Sequence, residues 1–128
     1  MLLFETVERR WLRKPKTGWR SIPNDWLLFV ETHPGREDIA VEGGEYGDTG
    51  NRFWTPGEWD DLLKMLMSET TKTWEAFLKT NGGLVAFDRK DIREIVPKED
   101  GVEVKIGDRY GGDRFHLAVP LDEFSARA

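Results

Sequence analysis

The chain has no cysteine. Disulfides, thiolate nucleophiles and Cys-ligated zinc are therefore excluded, and the composition is that of a reducing compartment, so a cytoplasmic location is expected. Histidine is scarce as well, with His33 and His116 alone. His33 precedes a Pro-Gly turn and reads as a solvated loop residue, whereas His116 alternates with Phe115 and Leu117 on a strand and reads as solvent-facing. No Ser/His/Asp arrangement, His-Glu-x-x-His or phosphate loop occurs. Gly43 to Gly50 is glycine-rich but does not lead directly from strand to helix, as a nucleotide loop must, and reads as a hairpin turn. No apolar run approaches the roughly 18 residues of a membrane span. Met1-Leu2-Leu3-Phe4-Glu5 turns acidic too soon for the core of a signal peptide. The expectation is a protein that is not an enzyme, holds no metal or cofactor and has no membrane partner.

What is present is an ordinary apolar content of 38% with 34% charged residues over 128 positions, enough for one compact unit with a wetted surface. Six Trp and seven Phe are many for this length. They can hold a small core together or mark a binding face. The net charge of −5 is uneven. Residues 9–20 contain Arg9, Arg10, Arg13, Lys14, Lys16 and Arg20 with no acid, so that +6 here leaves −11 for the rest. Trp11 and Trp19 are interleaved with these cations. A basic segment on an acidic body is a candidate partner-binding site comprising those eight residues. The acidic body would repel a nucleic-acid duplex, so a protein partner or self-association is expected, with a nucleic-acid contact through phosphates and stacked bases as the alternative.

Periodicity and punctuation predict the elements. The run from Leu2 to Trp11 fits a helix face and a strand equally, and Pro15 and Gly18 are expected to break any regular element after it. Trp26–Thr32 reads as a buried strand, Glu37–Glu42 as a second and Asn51–Trp54 as a third. Thr55-Pro56-Gly57-Glu58 has the chemistry of a capping box with proline at the first helical position. An amphipathic helix is expected to follow, with Trp59, Leu62, Leu63, Leu66, Trp74 and Phe77 on its face. Ser68–Thr71 would bend or split it, and Asn81-Gly82-Gly83 would end it. Strands are expected at Leu84–Phe87, Ile92–Val96, Val102–Ile106 and Arg114–Val119, with an Asp100-Gly101 hairpin turn and a terminal helix over Pro120–Ala126. The fold class is α+β: antiparallel sheets from two similar halves, a central amphipathic helix and a short C-terminal helix. The organisation reads as a basic N-terminal arm over 1–25, a β-meander plus helix over 26–80, and a second meander plus short helix over 81–128.

The halves echo each other in sequence. Gly44–Gly47, Arg52-Phe53 and Pro56 are matched by Gly107–Gly111, Arg114-Phe115 and Pro120, with Tyr46 to Tyr110 and Pro56 to Pro120 both 64 positions apart. A family resemblance accompanies the first half. Trp19-Arg20-Ser21, the extended Trp26–Glu31, Ile39-Ala40-Val41 and Phe53-Trp54-Thr55-Pro56-Gly57-Glu58-Trp59 followed by Leu62-Leu63 resemble the DUF397 pattern across residues 19–63. The chain lacks the cysteine common in that family's first strand and carries a whole second half. The resemblance implies a small antitoxin-like or regulatory partner domain. Small, acidic, cysteine-free chains are also common among phage-encoded inhibitors and virion components. The function expected is a non-catalytic protein-binding module, regulatory or inhibitory, with a nucleic-acid-associated regulator and an uncatalogued enzyme as alternatives.

Overall fold

The computed structural model describes residues 1–44, 51–107 and 113–126. Its order is β1 (Leu2–Glu8), β2 (Lys16–Ile22), a 3-10 turn (Asn24–Trp26), β3 (Leu27–Thr32), β4 (Ile39–Gly43), β5 (Asn51–Thr55) and α1 (Trp59–Glu69). Then come β6 (Glu75–Leu78), β7 (Leu84–Phe87), a 3-10 turn (Arg89–Asp91), β8 (Ile92–Lys98), β9 (Gly101–Ile106), β10 (Asp113–Leu117) and α2 (Leu121–Ala126). The same sentence is thus spoken twice: hairpin, 3-10 turn, three-strand meander, helix. The fold is α+β, as the strand and helix signals indicate.

All pairing is antiparallel, in sheets ordered β1-β2, β10-β9-β8 and β5-β4-β3-β7-β6. The halves join where β3 pairs with β7, through Phe29↔Phe87, Val30↔Ala86 and Glu31↔Val85. A bridge between Lys79 and Leu117 sets β6 beside β10. This junction explains why β3 reads as one continuous apolar run. Leu27 and Val30 enter one core with Leu2, Phe4 and Leu66, while Leu28 and Phe29 enter a second with Val104, Phe115 and Phe124. A strand walled on both faces cannot alternate apolar with polar residues.

Several expectations are corrected. The expected break at Pro15 and Gly18 is not there at Gly18: residues 2–22 of the basic arm form the β1–β2 hairpin, and Gly18 sits inside β2, beside Thr6. Glycine costs a strand little at an exposed edge, so it does not break this one. The helix begins at Trp59 with Glu58 as an N-cap lacking any side-chain bond. Thr55 closes β5 instead, and Gly57 at φ 118° bends the chain away before the first helical bond, Leu62 N–H to Glu58 O. The helix also ends early. Thr70 is extended, its N–H and hydroxyl both donate to the Leu66 carbonyl, and its hydroxyl oxygen accepts from the Trp74 indole. Trp74 and Phe77 therefore lie beyond α1, and Phe77 belongs to β6. Asn81-Gly82-Gly83 turns the β6–β7 hairpin, with Gly82 at φ 94°. The same residues serve a helix end and a tight hairpin, because both need a left-handed residue.

The echo needs a different spacing. Arg52-Phe53 and Arg114-Phe115 occupy the second and third positions of β5 and β10, 62 residues apart. Pro120 directly precedes α2, whereas Pro56 stands three residues before α1, so the prolines are not equivalent. Tyr46 and Tyr110 lie outside the described residues.

Candidate functional site

The β1–β2 hairpin carries the candidate residues. Register pairs Glu8 with Lys16, Phe4 with Arg20 and Glu5 with Trp19. The pleat puts Lys16 and Arg20 on the face that also presents buried Phe4 and Ile22, while Trp19 projects to the other face near Leu3. Trp11 and Leu12 form the tip between the strands, and Leu12 adopts φ 55°. That left-handed geometry is unusual for a branched apolar residue and holds both side chains outward. Trp11 is 87% exposed and Trp19 68%. The Arg10 guanidinium donates to the Lys14 carbonyl at 3.2 Å, and the Arg13 N–H to the Arg10 carbonyl at 3.4 Å.

The six cations do not share one fate. Arg9 is held by the chain itself. Its Nε and Nη2 donate to the buried Asp38 carboxylate at 2.7 and 2.9 Å, and Nη2 lies 2.8 Å from Glu37. The Asp38 bond, with the charges of Asp38 and Glu37, raises the Arg9 pKa against desolvation. This pair clamps the hairpin to the β3–β4 loop. Arg10, Arg13, Lys14, Lys16 and Arg20 have no carboxylate partner among the described residues. Arg20 lies over the Phe53 ring at 5.1 Å instead.

Behind the hairpin, against β5, is a groove of about 460 Å³. Lys16, Gly18 and Arg20 line it from the hairpin, Phe53 and Trp54 from β5, and Arg36 stands with its guanidinium 3.3 Å from the centre of the Trp54 ring. Arg36 also lacks a carboxylate partner among the described residues. Sequence reasoning missed Arg36 and Trp54, which come from a loop and a strand outside residues 9–20. No local signal marks them, because it is the seating of β1 against β5, with the Arg9–Asp38 clamp on the β3–β4 loop, that brings them to the hairpin.

A second polar cluster occupies a hollow of about 250 Å³ at the junction of the halves. Glu31 and Lys79 are 3% and 5% exposed, with Lys79 Nζ 3.0 Å from Glu31. His33 Nε2 lies 2.8 Å from the other Glu31 oxygen, so His33 is a bound residue rather than a free loop residue. Arg52 donates to Glu42 at 2.7 Å and reaches Asp113 at 3.2 Å. Burial works to lower the Arg52 pKa, and Glu42, Asp113 and Glu31 more than offset it. Burial raises the Asp113 pKa despite Arg52, and the charges of Glu42 and Glu31 add to that rise. Every carboxylate in this cluster faces a cation, so the arrangement fastens β3, β5, β6 and β10 together. His116, which also lines this hollow, has Nε2 2.8 Å from the exposed Asp100.

Among the described residues no group of three or more His, Asp or Glu is arranged to hold a metal ion, and no helix is long and apolar enough to cross a membrane. No family model, curated protein or solved structure matches the chain.

Proposed function

We propose that this chain is a non-catalytic protein-binding module, regulatory or inhibitory in action, that docks an acidic partner through its β1–β2 hairpin. One observation carries the reading. In a chain with excess carboxylate, five of the hairpin's six cations have no carboxylate partner among the described residues, around an exposed Trp11-Leu12 tip and an exposed Trp19. Trp and Arg are the residues that dominate binding energy at protein interfaces. A cation kept from its own acidic surface is available to another, and steers encounter as well as register. The resemblance of residues 19–63 to DUF397 regulatory partner domains supports the same reading. The cysteine-free composition suits a cytoplasmic regulator.

The alternative is a single-stranded nucleic acid, favoured by two exposed indoles among arginines. Against it stand the exposed aliphatic Leu3 and Leu12, which offer no stacking face for a base but pack against apolar side chains of a protein. The two separate in one experiment. Fluorescence anisotropy is measured for a labelled 20-residue polyglutamate and a labelled 20-nucleotide oligothymidylate, with wild type and with Arg10→Glu/Arg13→Glu/Lys14→Glu. The expected result is polyglutamate binding that the variant weakens at least tenfold. Tighter oligothymidylate binding with a steep log–log salt slope overturns the protein reading.

A further inference from the structure

We infer that the hairpin takes its partner as an added β-strand: an extended segment alternating acidic and apolar residues pairs antiparallel with the free edge of β2. The inference rests on the docking reading above and deepens it.

The repeat supplies the argument. β2 and β7 are equivalent strands. Each is the second strand of its hairpin, and each ends two residues before a 3-10 turn, at Ile22 before Asn24 and at Phe87 before Arg89. Their partners also correspond, since Leu2 opens β1 opposite Ile22 and Glu75 opens β6 opposite Phe87. The outer edge of β7 is filled, by β3. The outer edge of β2 pairs with no strand among the described residues. This fold therefore already demonstrates a strand docking on that edge, and leaves one such edge open. Carried across the repeat, the β3–β7 register places an incoming strand against Arg20, Ser21 and Ile22, continuing toward Trp19 and Thr17.

The edge of β8, another terminal strand, behaves differently. Among the described residues β8 pairs with β9 alone, and it carries Pro97, which has no N–H to give. Arg93 and Glu94 are also exposed along it. Proline and charge are how proteins blunt an edge they do not use. β2 contains no proline.

The chemistry of the occupant follows from the pleat. Alternate residues of an added strand face the side of Lys16 and Arg20, where Arg36 and the groove lie, and those beside Arg20 and Lys16 must be acidic, while the one beside buried Ile22 must be small or apolar. The intervening residues face Trp19 and Leu3, both exposed, and these must be apolar. Main-chain bonds supply affinity and the alternating side chains supply selection.

The test uses the full chain, isotopically labelled, and a capped heptapeptide alternating glutamate and valine. Expected are NMR shifts and slowed amide exchange at residues 17–22. Alternate N-methylation of the peptide should abolish both. Replacing its glutamates by lysines should abolish them too. Lys16→Glu/Arg36→Glu, two exposed positions, should weaken binding at least tenfold, while Trp11→Ala should leave the β2 signals in place. Shifts confined to residues 10–14, or binding that survives N-methylation, overturn strand addition. Protection of residues 17–22 in the protein alone that rises with its concentration also overturns it, by placing a second copy on the edge. Loss of polyglutamate binding in the wild type defeats the docking reading itself. Polyglutamate binding without β2 protection defeats only the strand-addition mode.

Discussion

At the scale of single residues, the buried ionisable groups set the chain's sensitivities. Lys79 and Glu31 are a desolvated pair with His33 and Arg52 close by. Removing one member strands the other charge in a poorly hydrated place. Lys79→Met is expected to destabilise by about 3 kcal/mol, whereas Glu31→Leu/Lys79→Met together should cost less than either change alone. Urea unfolding of the three variants measures the difference. Asp113 titrates in the opposite sense to a normal ion-paired carboxylate. Burial raises its native pKa above the unfolded value of about 3.9. Relative to the unfolded chain the native state favours the neutral form, so its contribution is full below that unfolded pKa and lost as pH rises through the native one. Asp113→Asn should therefore gain stability relative to wild type between acid and neutral pH. A ratio that does not change with pH would show that Arg52 holds Asp113 as an ordinary carboxylate.

At the scale of elements, caps and close approaches decide where strands and helices stop. Asp88 is the clearest case. Its Oδ1 accepts from the Lys90 N–H and its Oδ2 from the Thr73 N–H, both at 3.0 Å, so one buried carboxylate caps a 3-10 turn and ties down the α1–β6 connection. Burial would raise its pKa, but these two backbone bonds and the charges of Lys90 and Lys72 lower it. Its stabilisation is present above the unfolded pKa of about 3.9 and is lost as pH falls through the native value. Asp88→Ala should cost about 1–2 kcal/mol at neutral pH, and less in acid, by chemical denaturation at both pH values. Gly101 is set by contact. A Cβ there would meet the Leu117 carbonyl oxygen at 1.9 Å, so Gly101→Ala must push β9 from β10. A sharp fall in melting temperature is expected, and an unchanged one would show that β10 can slide. On α1, Leu66 is fully buried whereas Leu63 only lies against the core. Leu66→Ala should cost about 2–5 kcal/mol and Leu63→Ala clearly less.

At the scale of the whole molecule, two cores share one wall. β3 and β7 contribute to both, so neither half can lose its strands without opening the other. A single cooperative transition is expected. The tryptophans make this testable, because all six lie between residues 11 and 74, in the first half, while far-ultraviolet circular dichroism reports on both. The two signals should coincide through urea unfolding. Phe29→Ala, a second-core change on the shared wall, should move both equally, by about 3–5 kcal/mol. A fluorescence midpoint separated from the dichroism midpoint would show that the halves unfold independently.

Local chemistry was legible wherever one cause acted alone. Alternation around Ile39 and Val41 located β4, and the Asp100-Gly101 turn between β8 and β9 followed from residues that favour tight turns. The basic segment at 9–20 and the Arg-Phe echo were legible for the same reason, since charge and repetition need no folding to be read. What the tertiary structure decided were choices between local options of similar energy. Leu2–Trp11 fitted helix and strand alike, and β1 became a strand because Leu2 and Phe4 are buried in the first core. Asn81-Gly82-Gly83 could end a helix or turn a hairpin, and the pairing of β6 with β7 chose the hairpin. The groove had no signal at all. Arg36 and Trp54 stand 14 or more residues from β2 in sequence, and their approach is a property of how β1 and the hairpin seat against β5 and the β3–β4 loop. Sequence alone determines what each residue can do, through its charge, shape and backbone preference. Which cations keep a partner and which edge stays open depend on long-range contacts, whose free energy exists only once both halves are in place.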